Sequence, residues 1–160
     1  MARFSGKVAI VTGGASGIGA AAARRFHQEG ASVLIADLND KAGTELAAAL
    51  GAGRAIYCRV DVAVWEDVDA MVQAAVKAFG RLDILFNNAG IGSFAATPDL
   101  PLEEWRRVID IDLNGVFTVA ARRFRSCAGK AAARSSTRPP RQVWPATTAS
   151  RPTTPRREPS

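Results

Sequence analysis

Val8-Ala9-Ile10-Val11-Thr12-Gly13-Gly14-Ala15-Ser16-Gly17-Ile18-Gly19 decides how the rest of this 160-residue chain is read. Val8 to Val11 is a short apolar, largely β-branched run, the composition of a strand buried on both faces. Glycines follow at once, and then an Ala-rich stretch from Gly17 to Gly30 with the character of a helix closed by a C-cap glycine. Outward from this unit the alternation repeats. Ser32–Ala36 reads as a strand ending at Asp37, Lys41–Leu50 as a helix, Ala55–Val60 as a strand and residues 65–79 as a helix ended by Gly80. Leu82–Phe86 reads as a fourth strand running into Asn87-Asn88-Ala89-Gly90. A loop with Pro98 and Pro101 precedes a helix over roughly Leu102–Asp110 and another from Ile111 toward Ala121. Strands alternating with helices through short connections imply right-handed βαβ units and a parallel sheet. The expected fold is α/β, a Rossmann-type doubly wound parallel sheet that stops after about four strands and is followed by an irregular C-terminal tail.

The glycine loop carries the chemistry. Placed between a strand and a helix, glycines let the backbone turn tightly and approach a pyrophosphate, while the helix N-terminus presents N–H groups and a positive dipole end. Thr12, Gly13, Ser16, Gly17, Ile18 and Gly19 are the candidate binding residues there. Asp37, with Leu38 beside it, closes the second strand 18 residues after Gly19. A carboxylate at that point can bind both hydroxyls of an adenosine ribose and repels a 2′-phosphate. The loop also lacks Lys and Arg, so NAD is favoured over NADP.

Composition changes sharply near Ala121. Residues 1–120 hold 13 of the 14 glycines and 11 Lys/Arg against 14 Asp/Glu, a formal charge of −3. Residues 121–160 hold six of the eight prolines and ten Lys/Arg against Glu158 alone, a formal charge of +9. The overall charge of +6 therefore describes the tail and not the globular part. The expected organisation is a dinucleotide-binding half-domain over 1–121 and a basic, Pro/Arg/Thr-rich, disordered tail over 122–160. Cys58 and Cys127 have neither metal-ligand spacing nor a disulfide-framework count, which points to a reducing cytoplasm and to no metal site. No signal peptide precedes the first strand, and no apolar run is long enough to span a bilayer.

Thr-Gly-x-x-x-Gly-x-Gly, Asp61-Val62 after the third strand and Asn87-Asn88-Ala89-Gly90 after the fourth occur in order at successive strand ends. Together they resemble the short-chain dehydrogenase/reductase family over about residues 4–120. By that resemblance Asp61 and Val62 flank the adenine, Asn88, Ala89 and Gly90 line the cofactor with Asn87, and Ile18 lies against it. The resemblance also implies hydride transfer between NAD and a small alcohol or carbonyl compound, with a Ser, a Tyr and a Lys four residues after the Tyr as the catalytic set. The family's catalytic Asn, read through the register of Asp110-Ile111-Asp112-Leu113-Asn114-Gly115, falls on Asp112 and not on Asn114.

The catalytic set is missing from the chain as written. Tyr57 is the single tyrosine and lies on the third strand; the last lysine is Lys130, with no Tyr four residues before it. Read one base out of frame, the tail changes character. Joining the last base of each codon to the first two of the next lets residues 135–157 encode a strand-like Ile-Ile-Asn, then a Ser, a Tyr and a Lys four positions on. Trp144-Pro145 forces an Ala in that frame, since the Trp codon ends in G and Pro begins with CC. A frameshift near residues 121–125 accounts for both the missing residues and the Arg-, Pro- and Thr-rich text.

Three readings follow: a fragment of an oxidoreductase lacking its catalyst, a non-catalytic dinucleotide-binding module, and a module whose basic tail binds nucleic acid or an acidic partner. The third is disfavoured, because only Phe124 and Trp144 interleave the charges and a frame change produces them without function. Loss of later helices is expected to remove the family's oligomer interface and leave an aggregation-prone sheet edge. His27 is expected at the surface or in packing, Trp65 and Trp105 at helix starts, and Cys58 as a small apolar filler.

Overall fold

The computed structural model describes residues 2–51 and 53–122. Four parallel strands, β1 (Val8–Thr12), β2 (Ser32–Asp37), β3 (Ala55–Arg59) and β4 (Ile84–Phe86), lie in the order β3-β2-β1-β4. Val8 pairs with Ser32 and Thr12 with Ala36, Ala9 pairs with Ile84, and Asp37 pairs with Arg59. The helices between strands are α1 (Gly17–Gln28), α2 (Asp40–Leu50) and α3 (Trp65–Phe79).

Side-chain alternation along the strands makes two cores. Val11, Val33 and Ile35 face one way and pack with Ala23 of α1 and Leu46 of α2. Ile10, Leu34 and Ala36 face the other way and pack with Val68, Met71, Val72 and Ala75 of α3 and with Val119. Successive residues of one strand point to opposite faces, so a run apolar at every position must be covered on both sides. The sheet is thus doubly wound, as the sequence implies. Connections leaving β1 and arriving at β4 lie on opposite faces, which opens a crevice at the carboxyl ends of these two neighbouring strands.

The N-terminal edge of the sheet is tied by one carboxylate. Asp83 accepts from the Val8 N–H at 2.9 Å and from Arg81, and Lys7 Nζ lies 3.8 Å away. Burial pushes the Asp83 carboxyl up, but the bonds from Arg81 and Val8 and the nearby cations outweigh it and hold it below its ordinary value. β4 is shorter than the expected Leu82–Phe86: Leu82 is buried in the core ahead of it, and Asp83 joins β1 by its side chain and by its N–H to the Val8 carbonyl.

The segment after Pro101 differs from the expected pair of helices. α4 (Leu102–Ile109) passes without a break into a π-helical segment, Asp110–Gly115, and is α-helical again over 116–122. Asp110 keeps helical angles, φ −65° and ψ −35°, so nothing stops the helix there. The wider turn changes the phase of the apolar residues, and a reader of the sequence sees a boundary. Gly115 is buried against Val62, where a Cβ would stand 2.9 Å from Val62 Cγ2. At the far end the Arg122 guanidinium lies 4.2 Å from the Trp65 ring centroid and 3.3 Å from Asp69. Trp65 does start α3, whereas Trp105 sits within α4 and is half exposed. Among the described residues no helix is long and apolar enough to cross a membrane. The expected irregular tail and Cys127 lie outside the described residues.

Candidate functional site

Thr12 ties the two strands at the crevice. Its hydroxyl is fully buried, accepts from the Asn88 and Ala89 N–H groups at 3.0 and 3.1 Å, and is 3.3 Å from Asn87 Oδ1. Asn88 answers from the other side: its Nδ2 donates to the carbonyls of Thr12 and Gly13 at 3.1 and 3.3 Å. Asn87 Nδ2 donates to the Val116 carbonyl at 2.9 Å, joining the same strand end to the long helix. These polar residues at a strand end satisfy backbone groups that the sheet ladder has left behind.

The glycine loop is shaped by close approach. Gly13 has φ +61°, and a Cβ there would stand 2.9 Å from the Ala89 Cα. Gly17 has φ +51° and nothing within 4 Å of where its Cβ would be, so space stands directly over the start of α1. Ser16 makes no side-chain cap bond and the first turn holds no acid, so the N–H groups of that turn have no side-chain cap from within the helix. Ile18 projects beside it, 74% exposed.

A cleft of about 410 Å³ runs along these carboxyl ends. Gly13, Ser16, Gly17 and Ile18 line one wall, and Asp37 and Leu38 line one end. Asp61, Val62, Asn88, Ala89 and Gly90 complete the residues the sequence singled out. Thr12 and Gly19 stand behind the lining, Thr12 as the tie above and Gly19 packed under Gly13. Val60, Ile91, Arg107 and Ile111 also line the cleft and were not singled out. Val60 and Ile91 directly neighbour recognised motifs, and Arg107 and Ile111 are one helical turn apart, which is the signal that would have found them.

At the ribose end of the expected cofactor, Asp37 is already oriented. Oδ2 accepts from the Ala15 N–H and Oδ1 from the Asn39 N–H, both at 3.0 Å. A carboxylate offers about four acceptor positions, so capacity for hydroxyl donors remains. Asp61 Oδ1 accepts from the Ala63 N–H at 2.9 Å, and the Asp61 N–H donates to Asp67. Asp112 lies on the π-helical segment and accepts from the Ile91 N–H at 2.9 Å, while Asn114 bonds Asp110 within its own helix. The register that selects Asp112 over Asn114 therefore coincides with the side chain that reaches the cleft loop.

Residues with plain expectations stay plain. His27 is half-buried near the end of α1, its imidazole pushed down by burial and then by Arg54. The Cys58 thiol is pushed up by burial and by Asp67, which makes it a poor nucleophile. Tyr57 is pushed up to about 12, first by burial and then by its bond to Asp40. It lies on β3 with its hydroxyl directed to the β2–α2 turn, away from any acid–base role in the cleft. Among the described residues no group of His, Cys, Asp and Glu forms a metal cluster.

The cleft fits a dinucleotide: a helix N-terminus with room over Gly17, an oriented carboxylate at one end, and apolar walls from Ile18 and Val62. The family model described as short chain dehydrogenase matches residues 7–134. The chain is 47% identical over 119 residues to tropinone reductase-like 1 of Erythroxylum coca, covering 72% of this chain and 43% of that protein. It is 40% identical over 114 residues to meso-2,3-butanediol dehydrogenase of Serratia marcescens, covering 71% and 45% respectively. A crystal structure of a short-chain dehydrogenase/reductase, glucose/ribitol dehydrogenase, from Brucella melitensis superposes with a TM-score of 0.75 at 31% identity. That match covers 77% of this chain and 53% of the other. The chain spans less than half the length of these two curated relatives. Members of the family bind nicotinamide dinucleotides and act on small alcohols and carbonyl compounds. With its family match, its relatives and its fold in agreement, this chain belongs to the short-chain dehydrogenase/reductase family.

Proposed function

We propose that residues 1–121 form an NAD-binding module and that the chain as written lacks the chemistry of dehydrogenation. The observation that carries the first part is the Asp37 carboxylate, held at the end of the cleft by the Ala15 and Asn39 N–H groups. Fixed negative charge there accepts from ribose hydroxyls and opposes a 2′-phosphate, which supports NAD over NADP. When bound, the nicotinamide donates or accepts the hydride. The chain's own residues cradle the pyrophosphate at Gly13–Gly19, receive the ribose at Asp37 and Leu38, and enclose the adenine between Asp61, Val62 and the α4 side of the cleft. Asp112 stands where the family places Asn and fastens the Gly90–Ile91 backbone.

The second part rests on sequence. No Tyr is followed four residues later by Lys anywhere in the 160 residues. The out-of-frame reading of residues 135–157 supports a frameshift near residues 121–125 as the cause, and the coding DNA tests it. A Pro152 codon ending in T and an Arg156 codon ending in A are expected; any other base at either place overturns it. Cysteine usage supports a cytoplasmic setting. The outer edge of β4 pairs with no strand among the described residues, which supports loss of the family's assembly interface and poor solubility.

Titration of the full chain with NAD and NADP, followed by turnover of a secondary-alcohol panel, is the direct test. Binding of NAD without turnover is expected. Turnover overturns the second part, and failure to bind either dinucleotide overturns the first.

A further inference from the structure

Granted the dinucleotide reading above, we propose that Asp40, which lies outside the cleft, is a second determinant of cofactor choice: it clamps the Asp37–Leu38 turn and cancels the charge of Arg59. Both partners of its carboxylate come from β3. Oδ1 accepts from the Tyr57 hydroxyl and Oδ2 from Arg59 Nη1, each at 2.9 Å. The same two side chains reach the turn's backbone. The Tyr57 hydroxyl is 2.9 Å from the Asp37 carbonyl oxygen, and Arg59 Nη1 donates to the Leu38 carbonyl at 2.7 Å. Leu38 is thus held through its carbonyl, and Asp37 is met by a hydroxyl whose single proton serves either its carbonyl or Asp40, in both cases by groups outside the residues that line the cleft.

Arg59 matters because of its position. It is the strand partner of Asp37, so the two side chains leave the same face of the sheet. A guanidinium beside the ribose end is the group that attracts a 2′-phosphate, the extra group that distinguishes NADP. Here Asp40 pairs with it, and Asp37 is its neighbour across the two strands. Both Asp40 and Arg59 side chains are about 60% exposed, so their pairing adds little to folding. Asn39 continues to cap α2 through its bond from the Ala42 N–H when Asp40 is changed.

Asp40→Asn, in the full chain, keeps the side chain's size and removes its charge. Dissociation constants for NAD and NADP are measured by titration calorimetry. At low salt the NADP affinity is expected to rise about fivefold, and NAD affinity to change less than about twofold, because only the phosphate adds charge for Arg59 to attract. The gain fades as salt rises to about 0.5 M. Asp40→Glu keeps the original ratio, and Arg59→Gln in the Asp40→Asn background removes the gain. Equal weakening of both cofactors makes Asp40 a mere brace and overturns the proposal, as does an unchanged ratio in a chain that binds NAD. A parent chain that binds neither dinucleotide overturns this proposal together with the reading beneath it.

Discussion

Asp112 and Ile91, 21 residues apart in sequence, are joined by one hydrogen bond in which the Ile91 N–H donates to Asp112 Oδ1 at 2.9 Å. The bond fastens the π-helical segment to the loop that leaves β4, and a Cβ at Gly90 would stand 3.4 Å from the same carboxylate. Asp112→Asn keeps an acceptor at this point and is expected to leave stability within about 0.5 kcal/mol. Asp112→Ala removes it and is expected to cost about 1 kcal/mol in urea unfolding. Equal stability of the Ala and parent chains would show that the bond does not hold the loop.

Thr12→Val is the more damaging change. The hydroxyl is the acceptor for two successive N–H groups, those of Asn88 and Ala89. Valine has the same shape and leaves both donors without a partner, at an expected cost of about 2–4 kcal/mol. Thr12→Ser retains the acceptor and loses only a buried methyl, costing about 1 kcal/mol. The order Ser above Val in urea midpoint checks the assignment, since a purely apolar role predicts the reverse.

Gly43 faces the ring of Tyr57 so closely that a Cβ there would overlap Cδ2 and Cε2. Gly43→Ala is therefore expected to destabilise by about 1–3 kcal/mol, although Ala ordinarily favours a helix interior. In a Tyr57→Ala background the same change is expected to stabilise, by about 0.5–1 kcal/mol. The sign reversal across this double-mutant cycle is the measurement.

Asp83 predicts an acid limb in stability. Its carboxyl is held below the ordinary value in the folded chain, against burial, by Arg81, the Val8 N–H and the neighbouring cations. A depressed folded pKa contributes stability above the unfolded value, about 3.9, and that contribution is lost as pH falls through the folded value. Asp83→Asn is expected to lower stability at neutral pH and to flatten its decline below about pH 4. A decline as steep as the parent's would assign it to other carboxylates.

Much of this site is legible without coordinates, for a local reason. A glycine loop, a strand-end acid and a strand-end Asn pair each sit next to the element that presents them, and parallel βαβ winding brings successive strand ends to one side of the sheet. Arg107 and Ile111 were missed because a helix outside the motifs carries them to the cleft. The single helical rod from 102 to 122 was missed because the π-helical turn changes the apolar phase while leaving the chain helical.

By themselves, the residues determined the parallel α/β winding, the carboxylate at Asp37 and the absence of a Tyr-x-x-x-Lys set. These depend on periodicity, on position next to a strand and on presence in the chain. Tertiary structure alone decided that Thr12 binds the loop after β4, that the Asp112 carboxylate takes the Ile91 N–H, and that Tyr57 and Arg59 meet the Asp37–Asp40 turn at Asp40. Each of these joins groups from different strands or helices. Their distances follow from how the sheet pairs and how the helices pack over it, which no local spacing encodes.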